Sequence, residues 1–524
     1  MHTILPFLLA MIAAIVLLEM WATRLRIAYP ILLVVAGLAI SFIPGLPVVR
    51  INPDLIFLIF LPPLLFEASW AISFKEMKKW WRIIGSFAFL VVFFTATSVA
   101  IATNYFIPGF SIALGFLLGG IVAPPDAVST GAITRFVKIP RSTSTILEGE
   151  SLLNDASSLI IFRFALVAIG TGQFIWQQAA LTFLWMVIGG AGIGLLLAWI
   201  FVQLHKRLSF DASSDIALTI IEPYFMYWLA EEIGCSGVLA VVAGGLYMSA
   251  QRMVFLNSSS RLQGFHVWES FIFILNGLVF LIIGLGLPEI VEGLKKEGIP
   301  LGTAINYGLL VTGVLIASRI ISAYGALVAT FLFRRNVLPT RGSRSRFMMP
   351  LLLGWSGMRG VVSLAAALAI PITLNGAPFP QRNLILFITF IVILVTLVVQ
   401  GLTLPQLIKR SGAFDAIVLE ESTHKTRHDV KHGLKKNAQE FLKKRLEQHP
   451  EHKINVGHLV KIWEEKGEVE GNNMTAKAKA VIIEMLDVQR EYLLELNKDP
   501  KIDESIIREA LYTIDLEEEK WRRS

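Results

Sequence analysis

Long runs of hydrophobic residues, separated by short polar loops, make up most of the chain up to about residue 408. A helix needs about 20 predominantly apolar residues to cross the hydrocarbon core of a bilayer. The runs predict thirteen transmembrane helices, centred near residues 12, 36, 63, 94, 122, 160, 189, 224, 242, 276, 318, 360 and 396. The pattern is therefore typical of an all-α polytopic protein embedded in a lipid bilayer.

Charged residues divide the chain into two regions. Residues 1–408 carry 25 Lys+Arg and 17 Asp+Glu, whereas the much shorter segment 409–524 carries 22 and 23. Apolar residues in this last segment recur at helical spacing, as Ile507, Leu511 and Ile514 do, which favours soluble amphipathic helices. The sequence thus predicts a transmembrane domain over residues 1–408 and a cytoplasmic helical tail over residues 409–524.

Basic residues in the predicted loops indicate the orientation of the helices. Loops after odd-numbered segments contain 18 Lys and Arg residues, whereas loops after even-numbered segments contain 4. Because Lys and Arg accumulate on the cytoplasmic side, we expect the N-terminus outside and the tail in the cytoplasm, with the protein in the plasma (inner) membrane. No basic stretch precedes the first apolar run, which argues against a cleaved signal peptide.

Composition narrows the class of protein further. Hydrophobic residues make up 54% of the chain and charged residues only 17%, which excludes a disordered protein and argues against a soluble enzyme. The single cysteine, Cys235, allows no intramolecular disulfide and fits no zinc or redox motif. No nucleotide-binding or calcium-binding loop is present, so we expect no resident cofactor. The net charge of +7 follows the membrane topology and indicates no nucleic-acid partner.

Few ionisable residues remain at membrane depth once the loop charges are set aside. Each is costly enough in that environment to be a functional candidate. The clearest are Glu67, Asp126, Glu150, Asp155, Arg163, Glu222, Glu269, Arg319 and Arg359.

The densest polar group at this depth lies in the sixth predicted segment, from Glu150 to Ser158. At 100° per residue, Ser151, Asn154 and Asp155 share one face of a helix with Glu150. Hard oxygen ligands of this kind suit a small hard cation. We expect Asp155, with no basic residue beside it on this face, to bind the cation, and the serines that follow it to form interhelical hydrogen bonds.

Two predicted segments are interrupted in the middle of the membrane. In the fifth, two prolines precede Asp126, and each proline removes a backbone donor and opens the helix. In the twelfth, glycines surround Arg359 and weaken the helix there. The predicted breaks are Pro124, Pro125, Gly357 and Gly360. Discontinuous helices bind ions in secondary transporters, and an offset of seven segments predicts an inverted repeat. Asp126 either contacts the ion or caps a half-helix; both roles stay open.

The other buried charges need partners or roles. A lone buried arginine requires an acid, and we expect Glu150 to pair with Arg359, because Asp155 must stay free to exchange ligands. Arg163 is expected to pair with another acid or to extend towards the membrane surface. Its candidate partners are Glu222 and Glu148. Glu67 follows a pair of prolines in the third segment, where a role in lining the ion pathway and a structural role both stay open.

Three motifs resemble signatures of the sodium/proton exchanger branch of the monovalent cation/proton antiporters. They are LPPLLFEAS at residues 61–69, ESLLND at residues 150–155 and GMRGVVSLAAALAIP at residues 357–371. The resemblance spans nearly all of residues 1–408 in the expected order and spacing, and its most specific element is the pair Asn154-Asp155.

The resemblance implies a thirteen-helix fold with inverted repeats, crossed and unwound fifth and twelfth helices, and usually a homodimer. It also implies a secondary antiporter in which protons and a monovalent cation compete for Asp155, with Asn154 orienting the site. Ser151, Glu67 and Asp126 resemble surrounding ligands or relay groups, and Glu150 with Arg359 resembles a bridge between core helices. Sodium is the expected cation, with lithium and potassium left open.

The fifth segment departs from the family pattern at two positions. Relatives usually have Thr before the acid and Pro after it, whereas this chain has Pro125 and Ala127. The missing hydroxyl leaves the choice of cation open, although the backbone carbonyl of Pro125 could coordinate an ion. A gated cation channel and a membrane signalling receptor are the alternative functions, and flux stoichiometry separates the antiporter from the channel.

Overall fold

Helices account for nearly all of the regular structure in the computed structural model of the protein. The described residues are 4–25, 29–43, 53–126, 141–172, 176–208, 211–333, 343–410, 418–448, 476–499 and 502–523. Two features named above lie outside them: Ala127 and the stretch 411–417 at the start of the predicted tail.

Helices α1 to α16 follow one another through the hydrophobic part of the chain. They are α1 Ile4–Leu25, α2 Tyr29–Ser41, α3 Pro53–Ala71, α4 Phe74–Gly85, α5 Val92–Phe106, α6 Ile112–Val122, α7 Arg141–Thr171, α8 Trp176–Arg207, α9 Ala212–Glu232, α10 Gly237–Phe255, α11 Ser258–Lys296, α12 Leu301–Phe333, α13 Ser343–Trp355, α14 Val361–Leu368, α15 Arg382–Val395 and α16 Gly401–Arg410. Short π-helical segments, Ser86–Val91 and Thr396–Gln400, make α4 continuous with α5 and α15 continuous with α16. A two-stranded antiparallel hairpin, β1 Thr373–Leu374 and β2 Ala377–Pro378, joins α14 to α15.

Eight helical stretches among the described residues are long and apolar enough to cross a membrane. They are Leu5–Leu25, Phe74–Phe106, Ser144–Thr171, Ala180–Arg207, Gly237–Phe255, Ser258–Lys296, Leu301–Val328 and Arg382–Arg410. Three shorter apolar helices are Tyr29–Ser41, Leu58–Ala71 and Ile112–Val122. The predicted helical, multi-pass fold is therefore confirmed, whereas the count of thirteen spans stays a prediction.

The described residues divide into two compact units. The first comprises Met1–Leu204, Thr219–Gln251 and Trp268–Ala416. The second comprises His205–Leu218, Arg252–Val267 and Ile417–Ser524. It contains the helices of the charged segment, α17 Val418–Gln448, α18 Ala476–Leu496 and α19 Glu504–Arg523.

Two groups of helices can be distinguished within the first unit. The core group is α4–α7 with α12–α16, whose members pack on one another, as α5 does on α6, α6 on α7 and α12 on both α13 and α15. The panel group is α1–α3 with α8–α10. In this group α8 and α10 approach so closely that a Cβ on Gly194 would lie 2.0 Å from the carbonyl oxygen of Ala240. Helix α3 also packs against α7 and α14, so it lies at the boundary between the two groups.

In the second unit, apolar faces of α17, α18 and α19 enclose a core that includes Leu442, Leu486 and Leu511. The predicted helical periodicity of this segment is thus present in its packing.

Ion pairs and hydrogen bonds attach α18 and α19 to the first turns of α11 within the same unit. The Arg261 Nε donates to the Asp515 carboxylate over 2.7 Å. The Ser258 hydroxyl donates to Glu518, which also accepts from Arg490 Nη2 over 2.5 Å. These side chains are largely buried. Because the donors or acceptors are charged, the hydrogen bonds to each carboxylate are stronger than those between neutral groups.

The pH dependence of this attachment follows from Glu518. Burial raises the pKa of Glu518, but hydrogen bonds from Ser258, Arg490 and Arg522 outweigh burial and bring the pKa below its ordinary value of 4.5. The unfolded state therefore binds a proton more readily than the folded state. Stabilisation by the ionised carboxylate is fully present above pH 4.5 and is lost as the pH falls through the lower, folded-state pKa.

We expect Glu518→Gln to destabilise α19 by about 1–3 kcal/mol at neutral pH, because Arg490 and Ser258 lose a charged acceptor. Protection of residues 504–523 against hydrogen–deuterium exchange measures this effect. The exposed neighbour Glu517 provides the matched control, Glu517→Gln. The difference between Glu518→Gln and the wild type should shrink well below pH 4.5; a difference that stays constant with pH would contradict the assignment.

Candidate cation-binding site

The end of α6 and the segment between α13 and α14 meet where the site forms. Helix α6 ends at Val122, two residues before Pro124, and α13 and α14 are separated by residues 356–360. The backbone N–H of Asp126 donates to the carbonyl of Met358 over 2.7 Å, so the two breaks are joined directly.

Gly360 allows the two breaks to approach this closely. A Cβ at this position would lie 1.7 Å from Oδ2 of Asp126, far inside van der Waals contact. Any larger residue at position 360 would therefore displace the Asp126 side chain.

The Arg359 side chain donates hydrogen bonds to the backbone carbonyls at the end of α6. Its Nε donates to the carbonyl of Val122 over 2.7 Å and its Nη2 to the carbonyl of Ala123 over 2.9 Å. Its backbone N–H donates to the hydroxyl of Thr396 in the second π-helical segment, 3.2 Å away. Helix C-termini carry partial negative charge, so the fully buried guanidinium compensates the carbonyls that the break leaves free.

The partner of Glu150 is Arg319 on α12 rather than the expected Arg359. Arg319 Nη1 and Nη2 donate to the two oxygens of Glu150 over 2.7 and 2.9 Å, and both side chains are buried. Arg359 remains within electrostatic range of both residues. The prediction was wrong because the backbone carbonyls of α6 satisfy Arg359, which leaves the bidentate geometry to Arg319.

The Asn154 side chain is oriented by the break in α6. Its Nδ2 and the Ser151 hydroxyl both donate to the carbonyl of Pro125 over 3.3 Å. With Nδ2 engaged, Oδ1 is a buried oxygen that has no hydrogen-bond partner among the described residues. A buried acceptor without a partner is costly, so this oxygen is suited to hold a ligand.

Asp155 is 6% exposed and lies next to Asn154 on α7. Among the described residues, no ion pair or hydrogen bond joins its carboxylate to another side chain. Its charged neighbour is Asp126, across the break. One carboxylate without a counter-charge, an amide oxygen and a second carboxylate thus lie near one another beside the end of α6, a donor set that suits a hard cation.

The serines after Asp155 attach α7 to the rest of the core group. Ser157 donates to the carbonyl of Ala88 in the first π-helical segment over 2.5 Å, and Ser158 donates to the carbonyl of Gly120 on α6. Both are interhelical hydrogen bonds, as predicted, and they hold Asp155 in place relative to α6.

Glu67 lies in a different electrostatic environment from Asp155. Its charged neighbours are Glu148 on α7 and Glu269 on α11, so three carboxylates from three helices lie near one another. Glu148 accepts a hydrogen bond from Ser144 over 2.5 Å. The structure thus groups Ser151, Asn154, Asp155 and Asp126 and places Glu67 with other acids.

Arg163 pairs with an acid that the sequence did not indicate. Its Nη2 donates to Oε2 of Glu231, at the end of α9, rather than to Glu222 or Glu148. Glu231 lies at the junction of two predicted segments, where the pattern indicates a loop charge rather than a partner for a buried arginine.

Comparisons with known proteins find relatives over most of the chain. A family model described as sodium/hydrogen exchanger, transmembrane, matches residues 8–410. An "Uncharacterized Na(+)/H(+) exchanger" of Mycobacterium tuberculosis is 31% identical over 98% of this chain and 95% of the relative. A "Sodium, potassium, lithium and rubidium/H(+) antiporter" of Bacillus subtilis is 35% identical over 72% of this chain and 57% of the relative.

The fold also matches a solved structure. The sodium proton antiporter MjNhaP1 from Methanocaldococcus jannaschii superposes with a TM-score of 0.59, covering 77% of this chain and 97% of that one at 19% identity. At this identity the likeness shows a shared fold.

Removing Arg319 should destabilise the protein strongly. Arg319→Gln removes the bidentate partner of the buried Glu150 carboxylate, and we expect the free energy of unfolding to fall by about 3–5 kcal/mol. The double variant with Glu150→Gln should lose less than the sum of the two single losses. Unfolding of the purified protein in detergent measures the coupling energy.

The matched cycle combines Glu150→Gln with Arg359→Gln. Its coupling energy should be smaller, because Arg359 is held by carbonyls. A larger coupling with Arg359 than with Arg319 would show that the pairing described here is not the one that stabilises the protein.

Proposed function

The chain belongs to the sodium/hydrogen exchanger family, whose members are transporters and not enzymes, and we propose that it is a secondary antiporter. It exchanges a monovalent cation, sodium in the first place, for protons by alternating access. The observation that carries this proposal is the Asp155 carboxylate, which has no counter-charge among the described residues and lies beside the end of α6, where α6 meets the segment between α13 and α14.

Protons and cations compete for Asp155 in this proposal. The bound cation takes the Asp155 carboxylate and Oδ1 of Asn154 as ligands, since neither group has a hydrogen-bond partner among the described residues. Ser151 and Asp126 complete the site. The carbonyl of Pro125 already accepts two hydrogen bonds of 3.3 Å, which are long and therefore weak. It can coordinate the cation only if Ser151 or Asn154 turns away. Under that condition, the carbonyl takes the place of the threonine hydroxyl that relatives usually have.

The charge count of the site favours electroneutral exchange. Glu150 is neutralised by Arg319, and Arg359 compensates the carbonyl end of α6, so neither the acid nor the arginines need to titrate. Asp155 then carries one proton in one direction and one cation in the other. The site crosses the membrane with the same net charge both ways, which gives a ratio of one to one. The ratio requires that Asp126 and Glu67 keep their protonation during the cycle; a change at either would break it.

We extend the proposal to the architecture and location of the protein. It comprises thirteen spans with an inverted repeat over residues 1–408 and a cytoplasmic tail over residues 409–524, as a homodimer in the plasma (inner) membrane with its N-terminus outside. The proposed protein needs no resident cofactor for transport. The printed name of the Bacillus subtilis relative covers sodium, potassium, lithium and rubidium, which supports testing several cations.

Asp155→Asn should abolish exchange while leaving the protein folded, because the substitution removes the titrating group and keeps its size. Cation-induced proton movement in vesicles that contain the purified protein, measured salt by salt with sodium, lithium and potassium, tests this. Asp211→Asn, the same change at an exposed aspartate, is the matched control. Robust exchange by Asp155→Asn would refute the central role of Asp155.

Exchange should be indifferent to the membrane potential. Sodium-driven proton flux in sealed vesicles, with the potential clamped at several values, should proceed at one rate, because no net charge crosses the membrane. A rate that changes systematically with potential would mean that a second charge moves. A flux of many ions per proton would instead favour a gated channel.

A further inference from the structure

One ion pair joins the two groups of helices near one end of the site. Arg163 lies on α7 of the core group, and Glu231 lies at the end of α9 in the panel group. Nη2 of Arg163 donates to Oε2 of Glu231. The other oxygen, Oε1, accepts the backbone N–H of Gly237 at the start of α10 over 2.9 Å. Glu231 therefore holds the N-terminus of a panel helix and a side chain of a core helix at the same time.

Glu231 is fixed to the panel group by the backbone around it. The N–H of Cys235 donates to the carbonyl of Ala230 over 2.8 Å, and the N–H of Ser236 donates to the carbonyl of Met186 on α8 over 3.2 Å. A Cβ on Gly190 of α8 would lie 2.6 Å from the carbonyl oxygen of Ser236. The turn between α9 and α10 therefore moves with α8.

Arg163 is fixed to the ion site. It follows Asp155 by eight residues on α7, which is about 12 Å along the helix axis. Between the two, Ser158 donates to the carbonyl of Gly120 on α6. A Cβ on Gly120 would lie 3.1 Å from the backbone N of Phe162, so α6 and α7 are in close contact here. Any displacement of Asp155 with the core group therefore displaces Arg163 from Glu231.

The ion pair of Arg163 and Glu231 is only partly buried, as expected of a contact that can open. The side chain of Arg163 is 41% exposed and that of Glu231 is 27% exposed, in contrast to the buried pair of Glu150 and Arg319. Partly exposed ion pairs contribute less to stability than buried ones, so this contact opens at a lower cost than the pair of Glu150 and Arg319. The buried pair lies within the core group, where breaking it would strand a charge.

We propose that Arg163 and Glu231 form a latch between the core group and the panel group. The latch holds the groups together on the side of the site towards Thr171, and it must open before Asp155 can exchange ions with that side. In the orientation predicted from the loop charges, this side is outside the cell. The latch rests on the proposed alternating access. It makes Arg163 and Glu231 the residues that control which side of the membrane the ion site faces.

Cross-linking the two positions tests the latch directly. The variant is Arg163→Cys with Glu231→Cys in a Cys235→Ala background, which removes the single native cysteine. A short bifunctional thiol reagent with cleavable disulfides should stop sodium/proton exchange in vesicles, and a reductant should restore it. The control pair is Gly170→Cys on α7 with Leu374→Cys on β1, in the hairpin that joins α14 to α15 of the core group. A Cβ on Gly170 would lie 3.6 Å from Leu374 Cδ1. Cross-linking the control pair should leave exchange unchanged.

Exchange that continues at the full rate after complete cross-linking of positions 163 and 231 would overturn the latch. That result leaves the proposed antiport intact, whereas absence of exchange by the wild-type protein with every cation would refute the antiport itself. The two failures are thus distinguishable.

Charge variants keep the test valid if the cysteine pair does not support exchange. Glu231→Gln keeps an acceptor for the N–H of Gly237 and removes the charge that faces Arg163. The apparent affinity for sodium should shift by up to about fivefold, in opposite directions on the two sides of the vesicle membrane. Glu232→Gln, at the exposed neighbour in the same turn, should shift neither affinity. Equal behaviour of Glu231→Gln and Glu232→Gln would contradict the latch.

Discussion

The guanidinium of Arg359 against the carbonyls of Val122 and Ala123 is the contact on which the site depends. A helix interrupted inside a membrane leaves backbone groups that water cannot satisfy, and each costs several kcal/mol if it stays unpaired. Arg359 supplies donors for α6, and the N–H of Asp126 pairs with the carbonyl of Met358 in the segment between α13 and α14. Because each break satisfies the other, the chain can keep irregular backbone beside Asp155.

This arrangement also determines what each buried charge is free to do. Arg359 is occupied by backbone carbonyls, so Glu150 pairs with Arg319 from another helix, and both arginine side chains lie close to Gly357. The pairing leaves Asp155 as the carboxylate beside Asn154 without a counter-charge among the described residues. A site with one exchangeable acid is the physical basis of the proposed one-to-one exchange.

Two ion pairs of the first unit differ in burial. One joins helices within the core group, and the other joins the core group to the panel group. Glu150 and Arg319 are buried and join helices of one group, where breaking the pair would strand a charge. Arg163 and Glu231 are partly exposed and join helices of different groups, where breaking the pair costs less. The first kind of pair suits a rigid ion site, and the second suits a boundary that opens and closes.

Much of this could be predicted from the residues alone, because it depends on local chemistry. Apolar runs set the membrane helices, prolines and glycines indicate where α6 and the segment from α13 to α14 break, and the spacing of Ser151, Asn154 and Asp155 places them on one helix face. The pairing of the buried charges could not be predicted in this way. Glu150 and Arg319 are 169 positions apart and Arg163 and Glu231 are 68 apart. Which charges meet depends on how each helix is rotated and shifted against its neighbours, and on which donors the backbone breaks have already engaged, and these are properties of the packed helices rather than of any one segment.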